Sequence, residues 1–251
     1  MIRRTIFLIL TCGLFVSIHA QDYKVDMEKA VRIWNENSYE IEMTHLFYPS
    51  LQSVTPLETE TVWICKSGEN YHAKYYGLEV ISNGLYNVAI NDEQHIIAVV
   101  RREAPKTETS ESKEIKELFE EMANKITSSL GIDGTSSMQD AFTAYYLGEG
   151  KGVKTYRFDY TYGQYAHSMV NLSSKTGLIE KITVQLRDKV EIEPGKYSQA
   201  KVEIVFNKQV SGEKYPDNIF STDTIFSVDK SGRVILKGKY TQYHLINQIT
   251  K

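Results

Sequence analysis

Alternating apolar and polar residues run through most of the chain and predict a mainly β protein. In residues 39–48 the apolar side chains occupy every second position, as at Tyr39, Ile41 and Met43, with carboxylates between them. This period of two is typical of a strand with one buried and one wet face. Further strands, separated by turn signals rich in Gly, Asn and Ser, are predicted at 61–66, 71–76, 78–82, 85–90, 96–101, 142–147, 153–162, 165–172, 178–186, 200–206, 224–228, 234–236 and 240–246.

Helical periodicity replaces this alternation at two places. In residues 26–35 the apolar side chains recur three or four positions apart, and Asp26 has the chemistry of an N-cap. The apolar positions are Met27, Ala30, Val31 and Trp34. We expect this short helix to dock one face onto a sheet.

The second helical segment, residues 110–130, is longer and more strongly amphipathic. Its apolar stripe consists of Ile115, Leu118, Phe119, Met122, Ile126 and Leu130. Gly131 follows as a C-terminal stop. The polar segment 103–110 before the stripe contains Pro105 and indicates an exposed connection. It divides a single domain, 21–251, into lobes at about 21–102 and 111–251.

The first twenty residues have the three parts of an export signal. Arg3 and Arg4 supply positive charge, residues 6–16 are mostly apolar, and Ala20 is a small residue before the expected cleavage point. The apolar stretch is too short to span a membrane, which takes about 20 residues in a helix. We therefore predict a signal peptide at 1–20, cleaved after Ala20, and no transmembrane segment in the mature chain. The predicted location is the periplasm, and secretion outside the cell is the alternative.

Charge and cysteine content narrow the function classes. The predicted signal holds two of the 29 basic residues and none of the 32 acidic ones. The mature chain is therefore distinctly acidic, which argues against nucleic-acid binding. Of the two cysteines, Cys12 leaves with the signal, so Cys65 has no partner for an internal disulfide. Its apolar neighbours indicate a buried small side chain, and stability has to come from the hydrophobic core.

Metal-site and catalytic patterns are absent from the sequence. The histidines outside the signal are isolated from one another, without the close spacing that presets a zinc site: His45, His72, His95, His167 and His244. His45 lies on the apolar face of its strand, where a hydrogen-bonded, buried imidazole is expected. The glycine-rich segment 148–152 fits a hairpin loop better than a phosphate cradle. We expect a protein that is not an enzyme and has no cofactor, with a hydrolase of two converging carboxylates as the least favoured alternative.

Tyrosine is the most distinctive residue type of the chain. There are 17 tyrosines, several of them concentrated at 145–146 and in 156–162. A tyrosine ring buries apolar area while its hydroxyl keeps a polar partner, so tyrosines line ligand clefts as well as ordinary sheet faces. A cross-strand aromatic ladder and a binding surface are both consistent with this cluster.

The order of these elements resembles the LolA-type periplasmic carrier family. Residues 78–91 and 96–100 are similar to that family's strand, glycine turn, aromatic-bearing strand, acidic turn and next strand. Residues 173–182 are similar to its later hairpin. The chain differs from those carriers at an early strand, where they place an arginine that tethers the helical lid. Residues 39–48 contain no arginine, and Arg32 lies in the preceding helix.

The resemblance implies the fold class: mainly β with α, a strongly curved antiparallel sheet forming an open half-barrel capped by one or two helices. It also implies a concave apolar face that receives acyl chains. Parity along the strands then gives candidate cavity residues, each of which could equally belong to the core. These candidates are Ile41, Met43, Phe47, Trp63, Tyr75, Phe158, Tyr160 and Met169, with Ile115, Leu118, Phe119 and Met122 on the lid helix.

The functional hypothesis is a periplasmic carrier or binding protein for an apolar ligand in outer-membrane biogenesis. The expected partner is lipid or a lipoprotein's acyl chains, with envelope membrane proteins as further partners. The alternative is an envelope stress or assembly factor that binds a protein partner through its β surface.

Overall fold

The computed structural model describes residues 22–102 and 142–248. The predicted signal peptide, the connection 103–110 and the helix 110–130 lie outside the described residues. The lid candidates Ile115, Leu118, Phe119 and Met122 therefore remain predictions.

The described chain is mainly β, as the sequence predicts. Sixteen strands are present in the described residues: β1 Ser38–Tyr48, β2 Glu58–Ser67, β3 Asn70–Tyr75, β4 Leu78–Ser82, β5 Tyr86–Asn91, β6 Ile96–Arg101, β7 Phe142–Gly150, β8 Val153–Tyr160, β9 Tyr165–Ser173, β10 Ile179–Leu186, β11 Val190–Glu193, β12 Lys196–Ser198, β13 Lys201–Ser211, β14 Phe226–Val228, β15 Val234–Leu236 and β16 His244–Gln248. Twelve of them form one sheet in the order β16-β6-β5-β4-β3-β2-β1-β13-β10-β9-β8-β7. Within the described residues the end strands β16 and β7 do not pair, so the predicted open, mostly antiparallel sheet is confirmed.

The N-terminal helix is longer than predicted. The α-helix α1 spans Asp22–Val31 and continues as a 3-10 helix over Arg32–Asn35. Asp26 was expected at the N-cap, and this is wrong, because the helix begins four residues earlier. The carboxylate of Asp26 accepts hydrogen bonds from Lys154 and Tyr156 instead of capping the backbone.

The chain forms two compact units that interleave along the sequence. Among the described residues, the first unit comprises 22–36, 42–60 and 142–210. The second unit comprises 37–41, 61–102 and 211–248. The C-terminal segment therefore folds with the first hairpins of the chain.

In the first unit, β7 to β10 form antiparallel hairpins, and β10 pairs with β13. Directly opposed residues share a face of the sheet, which separates an apolar face from a polar one. The apolar face includes Tyr156, Val170 and Ile182, all nearly inaccessible to solvent. The opposite face carries charged pairs such as Arg157 with Asp159. Helix α1 packs on the apolar face through its contacts with β7 and β8.

In the second unit, β2 to β6 form the predicted antiparallel meander, but β16 does not extend it as a hairpin. Residues 240–246 were predicted as one strand, whereas Gly238–Gln242 forms a 3-10 helix and β16 begins at His244. β16 then pairs parallel with β6. Parallel neighbours need a long connection instead of a tight turn, and the chain after β13 supplies one.

That connection covers one apolar face of the second unit's part of the sheet. Its side chains Ile225, Phe226 and Val234 pack with Ile81, Val88 and the neighbouring strand residues in one buried cluster. The ring of Phe226 meets that of Tyr86 edge-on at 5.2 Å between centroids. The result is a filled, largely aliphatic core.

Two polar side chains of the sheet hold the backbone of this connection. Asn83 Nδ2 donates to the carbonyl of Phe220 at 3.0 Å. The two ring nitrogens of His72 lie 2.7 Å from the carbonyl of Ile219 and 2.7 Å from a carboxylate oxygen of Glu79. Both partners of His72 are acceptors, so the two bonds form together only when both ring nitrogens carry hydrogens.

Turn chemistry agrees with the sequence at the predicted hairpin loops. Asn83 Oδ1 accepts from the backbone N–H groups of Leu85 and Tyr86, which closes the β4–β5 turn. The glycine-rich 148–152 segment forms the end of β7 and the two-residue turn to β8, so the predicted hairpin is present. Its central residues Lys151 and Gly152 both have positive φ, the geometry of the two-residue turn that matches strand twist.

Candidate functional site

The predicted tyrosine cluster lies on the apolar face of the first unit. On the paired strands β7 and β8, Phe142 stands opposite Tyr160, and Tyr146 stands opposite Tyr156. Directly opposed side chains are the closest neighbours on a sheet face. We call the following side chains the aromatic face: Tyr23, Phe142, Tyr146, Tyr156, Phe158, Tyr160 and Tyr165.

Five rings of the aromatic face contact one another in one network, and Tyr146 and Tyr156 form a further pair with centroids 5.1 Å apart. Tyr23 of α1 meets Phe142 and Phe158 edge-on, with ring centroids 6.4 and 6.0 Å apart. Phe142 and Phe158 are 5.4 Å apart, and Tyr160 lies 6.2 Å from Phe142 and from Tyr165. Such edge-to-face and tilted pairs add about 0.5–1.5 kcal/mol each beyond their buried area.

Burial is uneven across the aromatic face. Tyr156 and Phe158 are buried, with 1% and 7% of their surface exposed. Tyr23, Phe142 and Tyr160 are only half-buried. The aromatic face therefore consists of buried rings surrounded by half-buried ones. The half-buried rings keep part of their apolar surface in contact with water.

Hydroxyl groups of the aromatic face have polar partners that hold their rings in place. The hydroxyls of Tyr160 and Ser168 lie 2.9 Å apart, and Ser168 is buried. Burial raises the pKa of Tyr160 above its ordinary value, so its ring stays uncharged. The hydroxyl of Tyr156 donates to Asp26 Oδ2 at 2.6 Å.

An ion pair fixes α1 at the edge of the aromatic face. Lys154 Nζ donates to Asp26 Oδ2 at 2.8 Å. Burial opposes the charged form of Asp26, but hydrogen bonds from Lys154 and Tyr156 outweigh that effect and lower its pKa. The same hydrogen bond raises the pKa of Lys154. Both groups remain charged at neutral pH, and the helix is tied to β8 by these two contacts.

The three cavity candidates on β8 and β9 lie on two different faces of the sheet. Phe158 and Tyr160 belong to the aromatic face. Met169 stands opposite Arg157, whereas Phe158 stands opposite Ser168. Met169 therefore lies on the polar face of the sheet together with Arg157. Neighbouring residues of a strand point to opposite faces, so a shift of one position in the predicted alternation changes the face.

The remaining cavity candidates lie on β1, β2 and β3. Ile41 and Met43 are fully buried on β1, while Phe47 is half-buried after the alternation slips near the end of that strand. In the second unit, Trp63 contacts the cluster of Cys65 and Phe220 and donates to Glu40 at 3.0 Å. Tyr75 pairs with Leu78 and is half-buried. A ligand-binding role for these residues stays a prediction.

Two buried residues that the sequence singled out have structural surroundings. Cys65 is a free thiol with no exposed surface, packed beside Tyr215 and Phe220. The expectation of a buried small side chain is confirmed. His45 is 4% exposed on β1, and burial lowers its pKa to about 4, so the ring is neutral at neutral pH.

Metal-ligating side chains do not converge within the described residues. No group of three or more His, Cys, Asp or Glu side chains there is arranged to hold a metal ion. None of the helices in the described part of the chain is both long and apolar enough to cross a membrane.

Sequence reasoning missed three members of the aromatic face, Tyr23, Phe142 and Tyr165, and found the others. Tyr23 was placed before the helix, yet it lies in the first turn of α1 and contacts two rings of the sheet. Phe142 was recognised only as the start of a strand. The available signal was helical spacing, because Tyr23, Met27 and Ala30 lie at the i, i+4 and i+7 positions of one helix face.

Comparison with known proteins returns matches among solved structures only. No family model matches the chain, and no curated protein matches it. An uncharacterized conserved protein from Thermus thermophilus is similar at 4% identity and a TM-score of 0.43, over 91% of this chain and 100% of that one. A LolA superfamily protein from Nitrosomonas europaea is similar at 10% identity and a TM-score of 0.27, over 82% and 98%.

A third match is the MucA/MucB complex of Pseudomonas aeruginosa, at 10% identity and a TM-score of 0.40. It covers 80% of this chain and 60% of that one, so the chain spans about three fifths of the matched protein. A LolA superfamily structure is thus among the matches, as the resemblance of the sequence predicts. At such identities and TM-scores the matches carry no conclusion about what this chain binds.

Proposed function

We propose that the protein is a non-enzymatic envelope carrier that binds an apolar ligand, lipid or a lipoprotein's acyl chains, on the aromatic face. One observation supports this proposal above others: the connected rings of Tyr23, Phe142 and Tyr160 keep part of their apolar surface accessible to solvent. The buried cluster of the second unit is mainly aliphatic, and its tyrosines Tyr86, Tyr240 and Tyr243 lie partly buried around it.

The energetics favour an extended apolar ligand. Each methylene transferred from water to an apolar surface contributes about 0.8 kcal/mol. A chain lying along the half-exposed rings would bury its own area and theirs together. Aromatic rings tolerate variation in such a ligand, because their contacts are mostly non-directional.

The proposed location is the space between two membranes. It is supported by the predicted signal at residues 1–20, with Arg3 and Arg4 before an apolar stretch and Ala20 at its end. Apolar cargo in that aqueous space requires shielding from water, which a binding face supplies.

Titration with a fluorescent fatty acid tests the proposal. The informative variants are Phe142→Ala and Tyr160→Ala, which remove half-exposed rings from the aromatic face. Each is expected to weaken binding about five- to tenfold, the loss of about 1–1.4 kcal/mol of apolar contact. Tyr162→Ala is the matched control, since Tyr162 is 64% exposed in the β8–β9 loop and outside the aromatic face. Absence of fatty-acid binding by the wild-type protein, together with no lipid in its solvent extract, would overturn the carrier function.

A protein partner is the second candidate, and a different surface favours it. Tyr145 and Leu147 on β7 point to the face opposite Tyr146 and are 46% and 55% exposed. Exposed large apolar side chains at alternate positions of one strand suit a protein contact. Tyr145→Ser/Leu147→Ser should abolish capture of an envelope protein without changing fatty-acid affinity. Unchanged capture of the envelope protein together with weakened fatty-acid binding would exclude this candidate.

A further inference from the structure

The loop between β1 and β2 has an unusual composition for a connection in contact with water. Residues 49–57 have the sequence PSLQSVTPL, with no charged residue and no Gly, Asn or Asp. Turn signals of the latter kind close other connections of the sheet, as at Asn83 and Gly84. Leu, Val and Pro instead occupy five of the nine positions of this loop.

Two apolar side chains of this loop are largely exposed to water. Val54 is 90% exposed, the highest value among the large apolar side chains of the described residues, and Leu57 is 55% exposed. Both belong to the first unit. One exposed apolar side chain is ordinary on a protein surface, but several in one place mark a surface that contacts a partner.

Hydrogen bonds hold the backbone of this loop in place. The Leu57 N–H donates to the carbonyl of Phe47 at 2.7 Å and closes the base of the loop. The Ser53 N–H donates to the Oγ of Ser50 at 3.1 Å, and the two serine hydroxyls lie 2.8 Å apart. The loop therefore presents its apolar side chains before any partner arrives, which lowers the entropic cost of association.

A third exposed apolar side chain lies on the hairpin β11–β12. Tyr197 of β12 is 60% exposed. The hairpin leads into β13, which neighbours β1 in the sheet. Where β1 ends and β13 begins, Lys201 Nζ lies over the ring of Tyr48, 4.5 Å from its centroid. The loop and the hairpin therefore leave neighbouring strands at the same end of the sheet, and we call Val54, Leu57 and Tyr197 the apolar tip.

Half-buried rings of the aromatic face lie at this same end of the sheet. Lys201 at the start of β13 pairs with Gln185, and the next residue, Leu186, pairs with Tyr165. Tyr160 is the last residue of β8, and Tyr165 is the first of its partner strand β9. A partner docked at the apolar tip would therefore be at the end of the sheet where the proposed ligand surface is accessible.

The charges around the apolar tip do not favour an anionic partner. Residues 188–198 carry three carboxylates and two lysines, and Glu58 directly follows the β1–β2 loop. Within the hairpin, Glu193 and Lys196 form an ion pair. Apolar contact is therefore the main available source of affinity at this end of the first unit.

We propose that the apolar tip docks on the surface of a lipid bilayer. Val54 and Leu57 enter the boundary between headgroups and acyl chains, and the ring of Tyr197 lies at headgroup level, where tyrosine is favoured. An uncharged loop with separate apolar side chains suits a fluid interface, which closes around each of them. Contact through so few side chains is weak and reversible. The apolar tip is a different surface from the aromatic face, and its docking does not depend on the function proposed for that face.

Flotation of the exported protein with phosphatidylcholine vesicles tests the proposal. Val54→Ser/Leu57→Ser is expected to reduce vesicle binding at least about tenfold, because it removes the inserted apolar groups. The matched control is Val25→Ser/Leu85→Ser, the same two changes at side chains that are 50% and 60% exposed elsewhere. All four positions are exposed, so both variants should keep the wild-type melting temperature. Equal loss of vesicle binding in both variants, or no binding by the wild type, would overturn the proposal.

A fluorescent label locates the contact on the molecule. Val54→Cys and Leu85→Cys are each labelled with a dye that brightens in an apolar environment, and labelled wild type gives the background, since Cys65 is buried. On addition of the vesicles the dye at position 54 should brighten several-fold and be quenched by lipids with a spin label near the headgroup. The dye at position 85 should not respond. The same response at both positions would contradict the assignment.

Lipid composition and salt separate insertion from charge attraction. Adding phosphatidylglycerol should not strengthen binding, and raising the salt concentration should change it less than about twofold. Binding that requires phosphatidylglycerol and is lost in salt would overturn the proposal, since the lysines would then be its source.

Native envelope membranes distinguish a bilayer from a membrane protein as the occupant. Loss of binding after the membranes are treated with protease, together with no binding to protein-free vesicles, would show a protein partner and overturn the proposal. Fatty-acid affinity of Val54→Ser/Leu57→Ser should equal that of the wild type. Failure of the apolar tip is therefore distinguishable from failure of the aromatic face.

Discussion

Each unit holds part of the twelve-stranded sheet, and one apolar face in the first unit differs from one in the second. In the second unit the face is built of aliphatic side chains such as Ile81 and Val88, and the chain's own segment with Phe226 covers it. In the first unit the corresponding face is rich in aromatic rings, and Phe142 and Tyr160 remain half-exposed. The covered face of the second unit is part of a buried core, whereas the aromatic face of the first unit is apolar but partly accessible to solvent.

The residue types suit these two roles. Branched aliphatic side chains fill space densely and have no polar end that needs water. Tyrosine adds a hydroxyl that can remain hydrated or find a partner, as Tyr160 does with Ser168. The second unit stabilises the fold through this covered apolar face, and the partly exposed face of the first unit is where we propose that a ligand binds.

Truncating the covered face should give the largest effect. Phe226→Ala removes a ring that is 3% exposed and is expected to cost about 3–5 kcal/mol of unfolding free energy. Denaturant unfolding measures the loss. The control Ile235→Ala changes a side chain of the adjoining β15 that is 48% exposed, and should stay within about 0.5 kcal/mol of wild type. Similar losses in both variants would contradict the description of a filled core.

Lowering the pH should destabilise the first unit through protonation of His45. Burial lowers the pKa of this histidine to about 4, below its ordinary 6.5. The unfolded chain therefore binds the proton more readily, and stability falls as the pH drops from 6.5 towards 4. The expected loss is about 3 kcal/mol. His45→Leu should flatten unfolding free energy across this window, and an unchanged slope would show that His45 is not its source.

The His72–Glu79 pair should give a smaller effect in the second unit. Burial opposes the charge of Glu79, but hydrogen bonds from His72 and the nearby charge of Lys74 lower its pKa below 4.5. Its stabilisation is therefore present above pH 4.5 and lost as the pH falls through the lowered value. Glu79→Gln should cost about 1–3 kcal/mol at pH 7. A difference from wild type that persists in strong acid would exclude this titration as the cause.

Truncating the half-exposed face should have the smallest effect on stability. Phe142→Ala is expected to cost about 1 kcal/mol, mostly its contacts with Tyr23 and Phe158. Its fatty-acid affinity should fall several-fold, whereas Phe226→Ala should bind normally under conditions where it is folded. If Phe142→Ala lost as much unfolding free energy as Phe226→Ala, both faces would contribute equally to stability, which would contradict the comparison.

The periodic spacing of apolar residues along the sequence predicted much of the fold. The alternation in β1 and the turn signals at Asn83 and Lys151 depend on local chemistry, and the structure agrees with them. The parallel pairing of β16 was not predicted, since it depends on a long connection with no local signal. The hairpin β11–β12 was also missed, because its strands of four and three residues are mostly exposed and lack an apolar face.

The candidate site was only partly predictable. The tyrosine-rich segment 156–162 indicated an aromatic surface, and Phe158 and Tyr160 belong to it. Met169 does not share a face with these two rings, because it pairs with Arg157 across β8 and β9, and its ligand-binding role stays a prediction.

The most direct test of the aromatic face is to find where a bound ligand lies. A fatty acid with a photoreactive diazirine in its chain can be bound, irradiated and mapped by mass spectrometry of the peptides. Labels are expected on the first unit, in peptides containing Phe142 or Tyr160. Labels concentrated on the second unit, in peptides containing Phe226 or Ile81, would contradict the account.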